Sequence, residues 1–230
     1  MTGARLVDLV PPTERSALRL SLLQVDAGDR PAVGADDADT LLYVVTGAGS
    51  FAFEDRSHPL EPGAAALVLA RERATIEAAG GLTTLQVTVG PDADRHAPLG
   101  PRESVVRLAH ADAQAATGAR SFQVLFGPQN GSARATLFAG FIPPGRAPWH
   151  YHLYDEIVWV PEGPGRLHRE EAVEKLGPGS AFRLRPREVH IVENSSAQRE
   201  MTIIGVITPA GSPSAAYLPP GGAAGSTFAG

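Results

Sequence analysis

The sequence predicts an all-β chain made of two tandem copies of one β-domain, and three observations carry that expectation. Short stretches rich in β-branched and aromatic residues recur along all 230 residues, bounded by Gly, Pro or Asp, which is the pattern of strands closed by turns. Glycine and proline are abundant, at 25 and 20 residues, as a fold of many short strands requires. The two halves also align: a shift of 116 positions lays Gly47 on Gly163 and Gly49 on Gly165 without a gap.

The candidate strands, in order, are "ALRLSLLQV", "TLLYVVTG", "ATLFAGFI", "EIVWVPEG" and "MTIIGVI", and their close spacing fits a sandwich or barrel. Helical periodicity is weak, and "RLAHADAQAA" (Arg107–Ala116) is the one short helix expected. The same shift places "LEPG" on "LGPG", "RERA" on "REVH" and "ALRLSLLQV" on "ARATLFAGF". These matches divide the chain into a domain over 1–100, a second over 101–210, and a Pro/Gly/Ala-rich loose or wrapping tail over 211–230.

Composition narrows the partners. The chain is 43% hydrophobic and 20% charged with a net charge of −5, so it lacks the basic face that nucleic acid or an anionic membrane would need. It contains no cysteine, which excludes disulfides and thiolate chemistry. The stretch "MTGARLVDLV" has no apolar core of secretory-signal length, and the longest apolar run, Ala64–Ala70, is too short to span a bilayer. A cytoplasmic protein acting on a small molecule is the expectation.

The chemistry concentrates in "WHYHLYDEIVWVPEG" (Trp149–Gly163). Side chains alternate along an extended strand, so His150 and His152 share a face, and Glu156 has the same parity if the strand continues, or returns to that face across a tight bend. Imidazoles with one carboxylate suit a divalent first-row metal and leave positions open for substrate, water or dioxygen.

Gly145, His150, His152, Glu156 and Gly163 resemble the first cupin motif, G-(x)5-H-x-H-(x)3,4-E-(x)6-G. "GSAFRLRPREVHIVEN" (Gly179–Asn194) resembles the second, G-(x)5-P-x-G-(x)2-H-(x)3-N. The match departs in three places: four residues separate Gly145 from His150, Pro186 sits one place late, and Glu188 stands for a turn glycine. With the internal repeat, the chain resembles a bicupin of two jelly-roll barrels. The resemblance implies a ligand set of His150, His152, Glu156 and His190 holding one divalent metal, which can be Fe, Mn, Ni, Zn or Co. The equivalent positions of the first copy are Gly34, Asp36, Thr40 and Ala74, which cannot build such a site, so that domain is expected to be metal-free. His58 and His96 lie in polar, turn-like surroundings and read as solvated.

Around the metal, Tyr154 shares the ligands' parity and is a candidate substrate contact. Arg183 and Arg185 alternate on one face: inward, they would grip a carboxylate or enolate; outward, they are solvated charges. His168 is a candidate acid/base, and Glu156 a candidate base beside the metal. The first shell is similar to that of quercetinase-like dioxygenases, oxalate-handling enzymes and sugar isomerases, and a dioxygenase-type oxidoreductase is the leading expectation. The alternatives are a sugar-acid or keto-acid isomerase, an aminohydrolase, and a non-enzymatic binding bicupin. A homodimer covering exposed sheet edges is the expected assembly.

Overall fold

The structure, a computed structural model, describes residues 3–14, 16–116 and 119–218. Seventeen strands run in chain order: β1 (Arg5–Val10), β2 (Leu18–Val25), β3 (Ala32–Val33), β4 (Asp39–Phe53), β5 (Arg56–Leu60), β6 (Ala64–Val68), β7 (Ala74–Val89), β8 (Val105–Arg107), β9 (Ala113–Ala115), β10 (Ser121–Phe126), β11 (Thr136–Ile142), β12 (Asp155–Trp159), β13 (Gly165–Arg169), β14 (Val173–Leu176), β15 (Ala181–Leu184), β16 (His190–Asn194) and β17 (Met201–Thr208). The chain is all-β, as its turn-rich composition requires.

Strands β1 to β8 form one antiparallel sheet along the path β1-β2-β7-β4-β6-β8. The later strands form a six-stranded sheet, β15-β12-β17-β11-β10-β9, and a three-stranded sheet, β14-β13-β16. These sheets pack as a β-sandwich and end in open edges rather than closing into two barrels. A shift of 116 carries Arg5 at the start of β1 onto Ser121 at the start of β10, Asp39 of β4 onto Asp155 of β12, and Ala74 of β7 onto His190 of β16. Even the pairing order β1-β2-β7-β4-β6 recurs as β10-β11-β17-β12-β15. The long strands β4 and β7 are each split in the later half, β4 into β12 and β13. Pro161 and Pro164 fall at that split, where each removes a ladder N–H.

The largest core joins the two halves: Leu18, Leu41, Leu67 and Val87 pack with Phe126, Leu137, Ile157 and Val206. Fully burying each such side chain is worth about 1.5–3 kcal/mol. One buried ion pair crosses the same seam, and a second, within the later half, is tied across it through Ser16 and the Leu18 carbonyl. Asp39 faces Arg134 at 3.6 Å, and Asp155 meets Arg183 at 2.6 Å while accepting from the Ser16 hydroxyl. Strand β8, just beyond residue 100, pairs with β6 of the earlier sheet.

The helix expected over Arg107–Ala116 does not form. A single 3-10 turn (Leu108–His110) is followed by β9, whose residues are all exposed and pair with β10. Alanine-rich sequence favours helix weakly, and without an apolar stripe to bury, one short helix is not stable alone. No helix among the described residues is long and apolar enough to cross a membrane.

Candidate metal centre

Backbone pairing brings the histidines together. His150 and His190 form a β-bridge with reciprocal N–H to carbonyl bonds of 3.3 and 2.9 Å, and Gly145 pairs with Asn194 in the same way. The Arg187 N–H donates to the His152 carbonyl at 2.7 Å, pinning the turn before β16 to the His-x-His segment. Arg187 has φ +67, so the left-handed turn position that the motif gives to glycine lies here rather than at Glu188. Arg71, its counterpart 116 residues earlier, has φ +73.

One ring nitrogen from each of His150, His152 and His190 lies within 4.8 Å of the others. Each Nδ1 faces a backbone carbonyl: Pro148 at 2.9 Å, Ala215 at 3.2 Å and Glu188 at 2.8 Å, respectively. A carbonyl only accepts, so each Nδ1 carries the proton and each Nε2 keeps a free lone pair. Burial drives His152 down to about 4 and His190 to about 3, and lowers His150 as well, so all three rings are neutral at pH 7. Glu156 is buried, and its Oε2 lies 3.6 Å from His152 Nε2. Burial first, and then the Asp155 charge, push its carboxyl up to about 8. This donor set fits a divalent first-row ion: neutral nitrogens and one hard oxygen, whose carboxyl a bound cation would lower.

The donors line a cavity of about 90 Å³, several times the ~10–15 Å³ that one water needs. Period-two alternation decides its walls. On β12, Glu156 and Val158 face inward, while Ile157 and Trp159 belong to the core shared between the halves. Phe122, Phe138, Ile142 and Ile203 complete an apolar lining.

The structure gathers some expected residues and separates others. Tyr154 lines the cavity, stacks on His152 with centroids 4.5 Å apart, and donates its hydroxyl to the Pro213 carbonyl at 2.9 Å. Its phenol stays protonated because burial raises its pKa. Arg183 does not reach the cavity. It pairs in register with Ile157 whereas Leu184 pairs with Glu156, so Arg183 takes the outward face and binds Asp155, Ser16 and the Leu18 carbonyl. Arg185 is exposed at the strand end, beyond the cavity lining. His168 is also outside it, buried against Glu193 at 2.5 Å. His96 is exposed, while His58 is half-buried on β5.

Two features of the site have no marker in the sequence, although a wrapping tail was one of its expectations. The start of the tail, as far as Leu218, wraps the site: Tyr217 bridges Tyr151, Ala215 accepts from His152, and Pro213 accepts from Tyr154. The remaining tail, 219–230, lies outside the described residues. Arg120, just before β10, is a cavity wall residue, and nothing in its local sequence marks it as one.

Residues 139–207 match the family model described as a cupin domain, and residues 34–139 match that of an AraC-like ligand-binding domain. These matches support assignment to the cupin superfamily. Among solved structures, a putative glyoxylate-induced protein from Pseudomonas aeruginosa is similar over 90% of this chain and 81% of its own, at 12% identity and a TM-score of 0.76. A cupin 2 conserved barrel domain protein from Leptotrichia buccalis matches over 89% of each chain at 15% identity and a TM-score of 0.63. Oxalate decarboxylase from Bacillus subtilis, in a structure concerned with its Mn(II) centres, matches over 91% of this chain and 73% of its own, at 12% identity and a TM-score of 0.70. At these identities the likeness is one of cupin fold. No curated protein sequence matches the chain.

Proposed function

We propose that this cupin is a metal-dependent enzyme acting on a small oxygenated organic molecule, most simply as a dioxygenase-type oxidoreductase. In this reading the two halves are two cupin units, and the later one holds one divalent transition ion through His150, His152, His190 and Glu156. The observation that carries it is the set of three Nδ1-anchored imidazoles, with one ring nitrogen of each within 4.8 Å of the others, at the wall of an apolar cavity. Mn(II) centres in the similar oxalate decarboxylase make manganese one candidate ion.

When bound, such an ion supplies Lewis acidity and, if redox-active, a partner for dioxygen. The chain's own residues supply the rest. The histidines stay neutral and oriented because their outer nitrogens are tied to backbone. Glu156, the one carboxyl lining the cavity among the described residues, is raised by burial and would be drawn back to a carboxylate by a bound cation. Phenylalanine and aliphatic walls exclude water and accept an apolar substrate body. The isomerase reading is weaker, because its proton shuttle, His168, is engaged by Glu193 outside the cavity.

Elemental analysis of protein purified without added metal, and again after loading with Fe, Mn, Ni, Zn or Co, should find about one equivalent per chain. Oxygen uptake is then expected with members of a panel of flavonols, diketones and catechols that includes their carboxylate-bearing derivatives. Metal below about 0.2 equivalents after loading would sink the metal reading. Full metal with no oxygen uptake would sink the dioxygenase part alone.

A further inference from the structure

Arg120 is the one arginine or lysine lining the histidine cavity among the described residues. Its Nη2 donates to the Val192 carbonyl on β16, which holds the side chain against the wall next to His190's strand. No carboxylate pairs with it among the described residues, and the residues outside them include no Asp or Glu. The cavity's own carboxyl, Glu156, lies 3.6 Å from His152 Nε2 and makes no ion pair with Arg120.

A mostly buried guanidinium without a counter-charge is costly, and such groups are ordinarily paired. Burial lowers Arg120 to about 10, so it still carries its charge at pH 7, and that charge is felt at all three histidines. A guanidinium that lines the same cavity as the three histidines, with Phe122 and Phe138 in the same lining, suits an anion with an apolar body. Guanidinium offers a planar fork of donors that matches a carboxylate.

We infer that the cavity takes a small organic acid, with its carboxylate on Arg120 and its apolar body against Phe122 and Phe138. This rests on the proposed function above, in that the cavity is taken as the substrate site, and it narrows the substrate class to carboxylates.

The test is calorimetric titration of the metal-loaded protein with benzoate, benzamide and acetate. Benzoate should bind at least about tenfold more tightly than its uncharged isostere benzamide, and more tightly than acetate, which lacks the apolar body. Arg120→Gln should weaken benzoate about tenfold or more and leave benzamide within about twofold. In the unmutated protein, benzoate should protect Arg120 from phenylglyoxal, read by peptide mass spectrometry, which decides the matter if the variant does not fold. Equal affinity for benzoate and benzamide, benzoate binding unchanged in Arg120→Gln, or no protection of Arg120 would overturn the inference. Acetate binding as tightly as benzoate would overturn the apolar half of it. Metal content measured on the same samples separates this from the metal reading: metal-free protein that still selects benzoate through Arg120 keeps the inference and loses the metal.

Discussion

Between residues 5 and 89 the chain builds a sheet whose interior is filled, and between 121 and 208 it repeats the same strand order around a cavity. In the earlier half, Phe51, Ile76 and Leu60 are fully or almost fully buried, and the counterpart of His190 is Ala74, buried in the same apolar cluster. The metal positions are closed to substitution as well. Gly34, the counterpart of His150, has φ +116, and a Cβ there would come 2.4 Å from the Glu72 carbonyl oxygen. Asp36, the counterpart of His152, is turned out to Arg73 at 2.5 Å. The segments that follow the last strand differ too. After β7 the chain crosses to the later half, where His96 N–H donates to the Ala133 carbonyl and Leu99 N–H to the Pro128 carbonyl. After β17 it instead folds back over its own histidines. One scaffold thus serves as packed support or as a site, depending on four side chains and on where the following segment goes.

Three changes would break or sharpen that contrast, taken from the largest effect down. Removing a ligand should make the later half resemble the earlier: His190→Ala is expected to lower metal affinity by at least ~100-fold in a chelator-competition titration, with the fold retained. Next, Arg183→Ala should destabilise the seam between the halves by about 3 kcal/mol in urea denaturation, because it leaves Asp155 buried without its cation. Benzoate affinity should not change, which distinguishes a structural arginine from a substrate-binding one. Smallest is the strap. A chain ending at Ala210 deprives His152 Nδ1 of its acceptor and should bind metal about tenfold more weakly, with the earlier half's melting unaffected.

The strand pattern and the shift of 116 positions were legible because both depend on local alternation and on turn residues, which the sequence displays directly. His150, His152 and Glu156 were legible from the alternation of an extended segment, although the chain bends at Leu153 and Tyr154 before β12 begins. His190 needed the motif spacing, because its closeness to His150 arises from a bridge between distant segments. Arg183 and Arg185 mark the limit. Their alternation was visible, but the face they take follows from β15 pairing Leu184, and not Arg183, with Glu156. A one-residue difference in register reverses that result.

The sequence by itself determined an all-β chain, its internal repeat and a group of histidines suited to a metal, because strand period and residue chemistry are local properties. Only the tertiary structure decided that Arg120 faces those histidines, that Arg183 binds the other half instead, and that the segment after Ala210 covers the site. Each of those outcomes is a contact between residues far apart in the chain, set by register and by the packing of one sheet on another, and no local pattern encodes it.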